Sequence, residues 1–372
     1  MPRIDLSVAT SGRGAPANRT PTRFNLKVRE PDGQWLDEKE AIDGAAPPLR
    51  TSVTIEKPRS IISTNASPDI PFEHSINPYR GCEHGCIYCY ARPTHAFHDL
   101  SPGLDFETKL FVKPDAASLL RIALGKTGYK ASAIALGTNT DPYQPIEGRW
   151  RIMRQILEVL AETSHACTIT TKSDRIIRDL DILAPMAAKR LVAVALSVTS
   201  LDPGVHRTLE PRAPQPERRL KAIRALVDAG IPTHINVAPI IPGVTDHEIE
   251  AILARGAESG ARTASFIPVR LPHEVAPLFR DWLDTHYPER AERVMSLIRS
   301  IRQERANDPD FFSRMRGSGP WAEMIRTRFR IACKRLGLNR DRVEREPVSA
   351  TGRRAASPVL ISQNCRCRLL VD

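Results

Sequence analysis

Between residues 131 and 271 short runs of apolar and β-branched residues alternate with longer amphipathic segments, and no other feature of this chain restricts its fold as much. The runs are ASAIALGT (131–138), ACTITT (166–171), RLVAVALSVT (190–199), PTHINVAPII (232–241) and RTASFIPVRL (262–271). Each is too short for a helix and apolar enough for a buried strand. The segments between them have helical spacing: residues 149–162, 174–188, 216–230 and 246–260. In the third, Leu220, Ile223, Leu226 and Val227 make one apolar stripe, and Gly230 stands where a helix C-cap belongs. EHSINPY (73–79) reads as a further strand ahead of these, which makes six βα units. Such a series is an α/β fold with a parallel sheet, either doubly wound or a partial barrel, and in both the loops after the strand C-termini line the site. No G-x-G-x-x-G follows any strand, which argues against dinucleotide binding.

The flanks differ in composition. Residues 1–58 are rich in Pro, Gly and mixed charge and read as a flexible extension, residues 59–272 as the βα domain, and residues 273–340 as a helical C-terminal region that closes the bottom or side of the sheet. Residues 341–372 revert to an Arg, Pro and Ser-rich tail that reads as disordered, and its Cys365 and Cys367 are too few to make a site alone. The formal charge is +11, of which the stretch from Arg299 to Asp372, with 17 Lys and Arg against 8 Asp and Glu, carries +9. That excess fits either a solvated face or a surface for a polyanion. A contact set of Arg314, Arg316, Arg326, Arg328, Arg330, Lys334 and Arg335 would take DNA or RNA through its phosphates. Seven cysteines in 372 residues do not form a secreted disulfide framework, and there is neither a signal-like start nor an apolar run of membrane-spanning length. The expected setting is the cytoplasm, with no membrane partner.

Just after the first strand, GCEHGCIYCY (81–90) gathers Cys82, Cys86 and Cys89. Gly81 and Gly85 supply the backbone freedom a tight wrap needs. Three thiolates on one point repel unless a cation absorbs their charge, so the loop reads as a metal centre ahead of buried thiols. Structural zinc is normally closed by four ligands, and His84 or His95 would have to complete it at an unusual spacing. An iron–sulfur cube normally takes four cysteines. Held by three, it keeps one iron open, and an open iron suits a catalytic centre that receives a substrate or cosubstrate.

The spacing C-x-x-x-C-x-aromatic-C, with Tyr88 as the aromatic residue, resembles the radical S-adenosylmethionine (radical SAM) superfamily, and the six βα units match that superfamily's partial (β/α)6 barrel. The resemblance spans roughly residues 70–275. It implies a [4Fe–4S] cluster on Cys82, Cys86 and Cys89, SAM on the open iron, reductive cleavage of SAM, hydrogen abstraction from a substrate, and an electron donor such as flavodoxin or ferredoxin. It further implies that Thr138, Thr140 and Asp141 in GTNTDPYQ (137–144) meet the methionyl ammonium. Lys172 would offset the SAM carboxylate, Ser197 and Thr199 would bond the ribose, and Tyr88 and the segment from Asn236 to Gly243 would lie near adenine. Within the superfamily, INPYRGCEHGCIYCYARPTH with GTNTDPYQPIE looks closest to the spore photoproduct lyase-like branch. That enzyme returns its hydrogen from a cysteine in the second-strand loop. Here residues 137–144 hold no cysteine, which puts the same lyase reaction in doubt. Cys167 reads as a small buried hydrophobe, Tyr90 and Tyr143 as relays or packing, and Glu210 and Arg212 receive no role. The contrasting reading is a non-enzymatic metal-cluster or zinc protein that binds nucleic acid or senses redox state.

Overall fold

The computed structural model describes residues 12–21 and 49–340; the tail with Cys365 and Cys367 lies outside the described residues, as do residues 1–11 and 22–48 of the N-terminal extension. Among the described residues ten strands run in chain order as β1 (Ser52–Ile55), β2 (Ile62–Thr64), β3 (His74–Ile76), β4 (Tyr79–Arg80), β5 (Lys109–Val112), β6 (Ile134–Leu136), β7 (Cys167–Thr171), β8 (Val192–Ser197), β9 (Thr233–Ile240) and β10 (Thr263–Pro268). All six strands read from the sequence are present. They form one sheet in the order β10-β9-β8-β7-β6-β3, with β2 added antiparallel at the β3 edge.

Every pairing among the six strands of this series is parallel, and their neighbours in space are their neighbours in the series. That order decides between the two architectures left open above. Right-handed crossovers between successive neighbours put every connecting helix on one face, and the sheet curls away from them into a partial barrel; a doubly wound sheet would reverse direction at a switch point. The central strand β8 is buried along its whole length, as a strand enclosed on both sides must be.

The outer layer comprises α1 (Ala116–Leu124), α2 (Ile152–Glu162), α3 (Leu180–Ala188), α4 (Pro216–Asp228) and α5 (Ile249–Glu258). Leu220, Ile223 and Leu226 of α4 are buried as their spacing requires. Gly230 adopts φ +75°, and Ile231 N–H returns to Leu226 O at 2.9 Å to end the helix.

Of the two placements expected for the C-terminal region, the bottom or the side of the sheet, the last helix takes the side, while the first two stand elsewhere. Helices α6 (Val275–His286) and α7 (Ala291–Ser300) share a core with Ile87, Tyr88 and Leu104 of the cysteine loop, so they stand at the strand C-terminal end. Helix α8 (Gly319–Leu336) packs on α5, and its Phe329 meets Phe266 of β10 with ring centroids 4.7 Å apart. It therefore takes the place of the helix that should follow the sixth strand. Apolar positions Ile325, Phe329 and Ala332, a helix turn apart, explain the docking.

Within the N-terminal extension, the described residues depart from the flexible segment expected. Residues 12–21 are packed under the cysteine loop, with Ala15 fully buried, and β1 pairs in parallel with β5. Among the described residues, no helix is long and apolar enough to cross a membrane.

Candidate active site

The cysteine loop is a long excursion pinched at its base. Tyr79 and Arg80 of β4 pair antiparallel with Val112 and Phe111 of β5, and Cys82 N–H donates to Phe106 O at 2.9 Å. Gly81 and Gly85 hold φ of +72° and +69°. A Cβ on Gly81 would fall 2.8 Å from Phe106 O, and one on Gly85 2.7 Å from Glu107 Oε2, so both positions need glycine for conformation and for space.

Beneath the loop lies a buried ion pair that no local sequence signal announces. Arg92 and Glu107 are both fully buried and meet at 2.5 Å. Arg92 also donates to the carbonyls of Cys86 (2.9 Å), Gly85 (3.1 Å), Pro102 (3.1 Å) and Gly103 (2.9 Å). Glu107 in turn accepts from Gly14 N–H at 2.9 Å and Ala15 N–H at 2.8 Å, which straps the N-terminal segment to the loop. Gln144 ties the loop to the next one, accepting from Glu83 N–H at 2.9 Å and donating to Gly81 O at 3.0 Å.

Cys82, Cys86 and Cys89 carry free thiols, the first two buried and the third half-buried. Burial pushes all three pKa values up; for Cys82 the nearby Asp141, Cys86 and Cys89 raise it further. Three sheltered thiols that oppose one another's ionisation fit a polynuclear cation that takes them as thiolates, and fit poorly as solvated free thiols. Among the described residues no three His, Cys, Asp or Glu side chains are gathered closely enough for one metal ion. In a cube each cysteine serves a different iron, so its donors stand further apart than those of zinc.

Of the residues expected around SAM, the structure brings Tyr88, Lys172 and Thr199 together and turns others elsewhere. Lys172 Nζ lies 5.8 Å from the Tyr88 ring centroid and 3.7 Å from Glu210 Oε1. Thr199 Oγ1 donates to Glu210 Oε1 at 2.7 Å, and the Tyr88 hydroxyl bonds the same oxygen. Glu210 Oε2 pairs with the buried Arg219 and stands 3.6 Å from His206 Nδ1. Glu210 is thus the acid on which this side of the site is assembled. Burial drives the Lys172 pKa down, while Cys86 opposes the change. Ser197 ends β8 with its side chain buried and its carbonyl accepting from Arg219 at 3.0 Å.

Thr138, Thr140 and Asp141 are spent within the protein. Thr140 donates to Tyr79 O at 2.9 Å, and Thr138 Oγ1 accepts from Asn77 at 3.2 Å. Asp141 accepts from Thr171 Oγ1 and Lys172 N–H, both at 2.7 Å, and from Tyr143 N–H at 2.9 Å; His84 Nδ1 stands 3.4 Å away. Burial alone would raise the Asp141 pKa, but the His84 ring and these bonds hold it at about 2. The carboxylate staples the β6 and β7 loops together. Asn236 is engaged by Ser265 on the neighbouring strand. Cys167 begins β7, at the end of the sheet opposite the cysteines, and is fully buried. Tyr143 is buried with its hydroxyl on Asp179 at 3.1 Å, whereas Tyr90 is exposed at the mouth, its hydroxyl on Thr138 O and its ring under the Arg270 guanidinium at 5.3 Å.

The proposed C-terminal contact set is divided in the same way. Arg314 is held by Asp69, Arg328 by Glu250 at 2.6 Å, and Arg326 by Glu323 and Gly317 O. Arg330, Lys334 and Arg335 are exposed. After α8, Asn339 bonds Arg262 O and Ala264 N–H, at the start of β10, so the end of the helix bearing Lys334 and Arg335 lies away from the cysteines.

A parallel partial barrel with a three-cysteine loop after its first strand defines a class, and comparison with known proteins agrees. The family model for the radical SAM superfamily matches residues 76–255, and the chain belongs to that superfamily. An uncharacterized protein of Mycobacterium tuberculosis (strain H37Rv) is 39% identical over 232 residues, covering 62% of this chain and 68% of that one. An uncharacterized protein of Methanocaldococcus jannaschii is 27% identical over 222 residues, 60% of this chain and 79% of its own. Among solved structures, a spore photoproduct lyase variant superposes with a TM-score of 0.54 over 83% of this chain and 93% of that one at 15% identity, a likeness of fold.

Proposed function

We propose that the protein is a radical SAM enzyme that holds a [4Fe–4S] cluster on Cys82, Cys86 and Cys89 and acts by hydrogen abstraction on nucleic acid. The observation that carries the first part is the set of three sheltered free thiols on one clamped loop, facing the Tyr88, Lys172, Thr199 and Glu210 cluster at the strand C-terminal ends. When bound, the cluster and SAM together supply reductive cleavage of the sulfonium and a 5′-deoxyadenosyl radical, with the electron from an external donor such as flavodoxin or ferredoxin.

The chain's own residues position and enclose. Arg92 and Glu107 fix the loop carbonyls so the thiols keep their spacing. Lys172 offers the cation for the SAM carboxylate, and the Tyr88 hydroxyl and Thr199 stand beside it as groups for the ribose. Asp141 keeps the Lys172 backbone in place through its N–H. Helix α6 covers the loop with Leu278, Phe279 and Trp282, α7 adds Val294 and Ile298 to the same core, and together they exclude water from that side. With Cys167 at the far end of the sheet and no thiol in residues 137–144, Tyr90 is the side chain at the mouth suited to pass a hydrogen atom.

The nucleic-acid part rests on the positive charge and on the fold shared with spore photoproduct lyase. Anaerobic reconstitution followed by dithionite and SAM tests the chemistry: 5′-deoxyadenosine should form and should vanish with Cys86→Ala. A colourless protein without iron, or with zinc in its place, would sink the proposal.

A further inference from the structure

The rim of the barrel mouth carries a concave, arginine-lined pocket of about 440 Å³, formed by Gly148, Arg151, Asp174, Arg175, Arg178 and Arg218. Three stretches of chain build it, and each continues a loop of the candidate active site. Gly148 and Arg151 lie just beyond the Gly137 to Gln144 loop, Asp174 to Arg178 follow Lys172, and Arg218 opens α4 after the loop that bears Thr199 and Glu210. The pocket therefore sits at the same end of the sheet as the cysteines.

Its charges are unequally satisfied. Arg178 is held by Glu147 at 2.7 Å and Asp179 at 2.8 Å, and Arg218 by Asp174, the one acid of the lining, at 2.7 Å. Among the described residues, the Arg151 and Arg175 guanidinium groups make no ion pair with an acid. Gly148 makes room for the second of them, since a Cβ there would lie 2.9 Å from Arg175 Nη1. Arg151 is held at φ +52°, where its backbone both ends one short helix and begins α2. Two guanidinium groups without carboxylates, in a hollow whose other arginines are already neutralised, match a phosphate oxygen pair better than a neutral ligand.

The geometry points to a phosphate-binding subsite in which Arg151 and Arg175 take the backbone of a nucleic-acid substrate as it crosses the mouth. This rests on the nucleic-acid reading above and moves its anchor from the C-terminal helix to the rim. The exposed Lys334 and Arg335 are at the other end of the sheet and cannot hold a strand against the cysteines. Arg151 and Arg175 can, because their loops end beside Lys172 and Gln144.

The test is a salt titration of binding between the reconstituted full-length protein and a fluorescent DNA duplex, for the parent, R151A/R175A and R330A/K334A. Loss of two phosphate contacts should lower the slope of log Kd against log salt by about 1.8, at about 0.9 per contact. The affinity gap between the parent and R151A/R175A should then narrow about tenfold between about 50 and 200 mM salt. SAM cleavage without substrate should stay at the parent level, which shows an intact site. R330A/K334A should keep the parent slope. An unchanged slope in R151A/R175A overturns the pocket and leaves nucleic-acid binding standing, while a parent that binds no duplex even at low salt removes both.

Discussion

Replacing Glu107 with glutamine removes one charge from a fully enclosed pair and keeps the side-chain shape, so its effect isolates what the carboxylate does beneath the cysteine loop. In the parent, its two oxygens serve three donors: Arg92, Gly14 N–H and Ala15 N–H. Glutamine keeps one acceptor and turns an NH2 group toward donors, while the Arg92 guanidinium remains charged and buried. Breaking one side of a buried pair costs about 3–5 kcal/mol. A backbone N–H left unpaired adds about 1–3 kcal/mol. Against a total stability of about 5–15 kcal/mol, this is a large share. The loss should concentrate where Arg92 holds the Gly85 and Cys86 carbonyls and where the Gly14 strap closes beneath them. Two measurements follow from that: urea unfolding of the apoprotein, and iron and sulfide content after anaerobic reconstitution. The midpoint should fall by an amount equivalent to at least about 3 kcal/mol, and E107Q should retain less iron than the parent. An E107Q protein with the parent's midpoint and the parent's iron content would refute the clamp.

Lys172→Met should weaken SAM binding about tenfold or more while iron content holds, as expected when a partly buried cation no longer meets a carboxylate; equal SAM affinity would take Lys172 out of the site. Burial holds the His95 pKa down at about 4, with Lys109 O its hydrogen-bond partner. A depressed histidine pKa means the unfolded chain binds the proton first, so stability should fall as pH drops from about 6.5 toward 4, by about 2 kcal/mol between pH 6.5 and 5. His95→Gln should remove that share of the urea-midpoint slope and leave the share of His206, whose pKa burial also holds down at about 4; a profile as steep as the parent's would contradict the assignment. Cys167→Ala should leave 5′-deoxyadenosine formation unchanged and lower stability by about 1 kcal/mol, since the thiol packs at the far end of β7. A selective loss of activity with an unchanged urea midpoint would instead assign Cys167 a part in the chemistry.

The sequence by itself determined what depends on local order. Strand and helix positions follow from apolar period, so the six barrel strands were legible from residue 73 to residue 271, and the spacing of Cys82, Cys86 and Cys89 carried the class of chemistry. Tertiary structure decided everything set by partners distant in sequence. Strand order excluded the doubly wound sheet. Glu210, to which local sequence assigns no role, is the hub of one side of the site because the fold brings Tyr88, Thr199 and Arg219 to it from three separate segments. Asp141 and Thr140, typical ligand types by position, were consumed as staples. The same holds for charge: composition counts arginines, but only packing shows that Arg314 and Arg328 are neutralised while Arg151 and Arg175 meet no acid among the described residues. A side chain's chemistry is written in its residue type, whereas its availability depends on which opposite group the fold brings within reach.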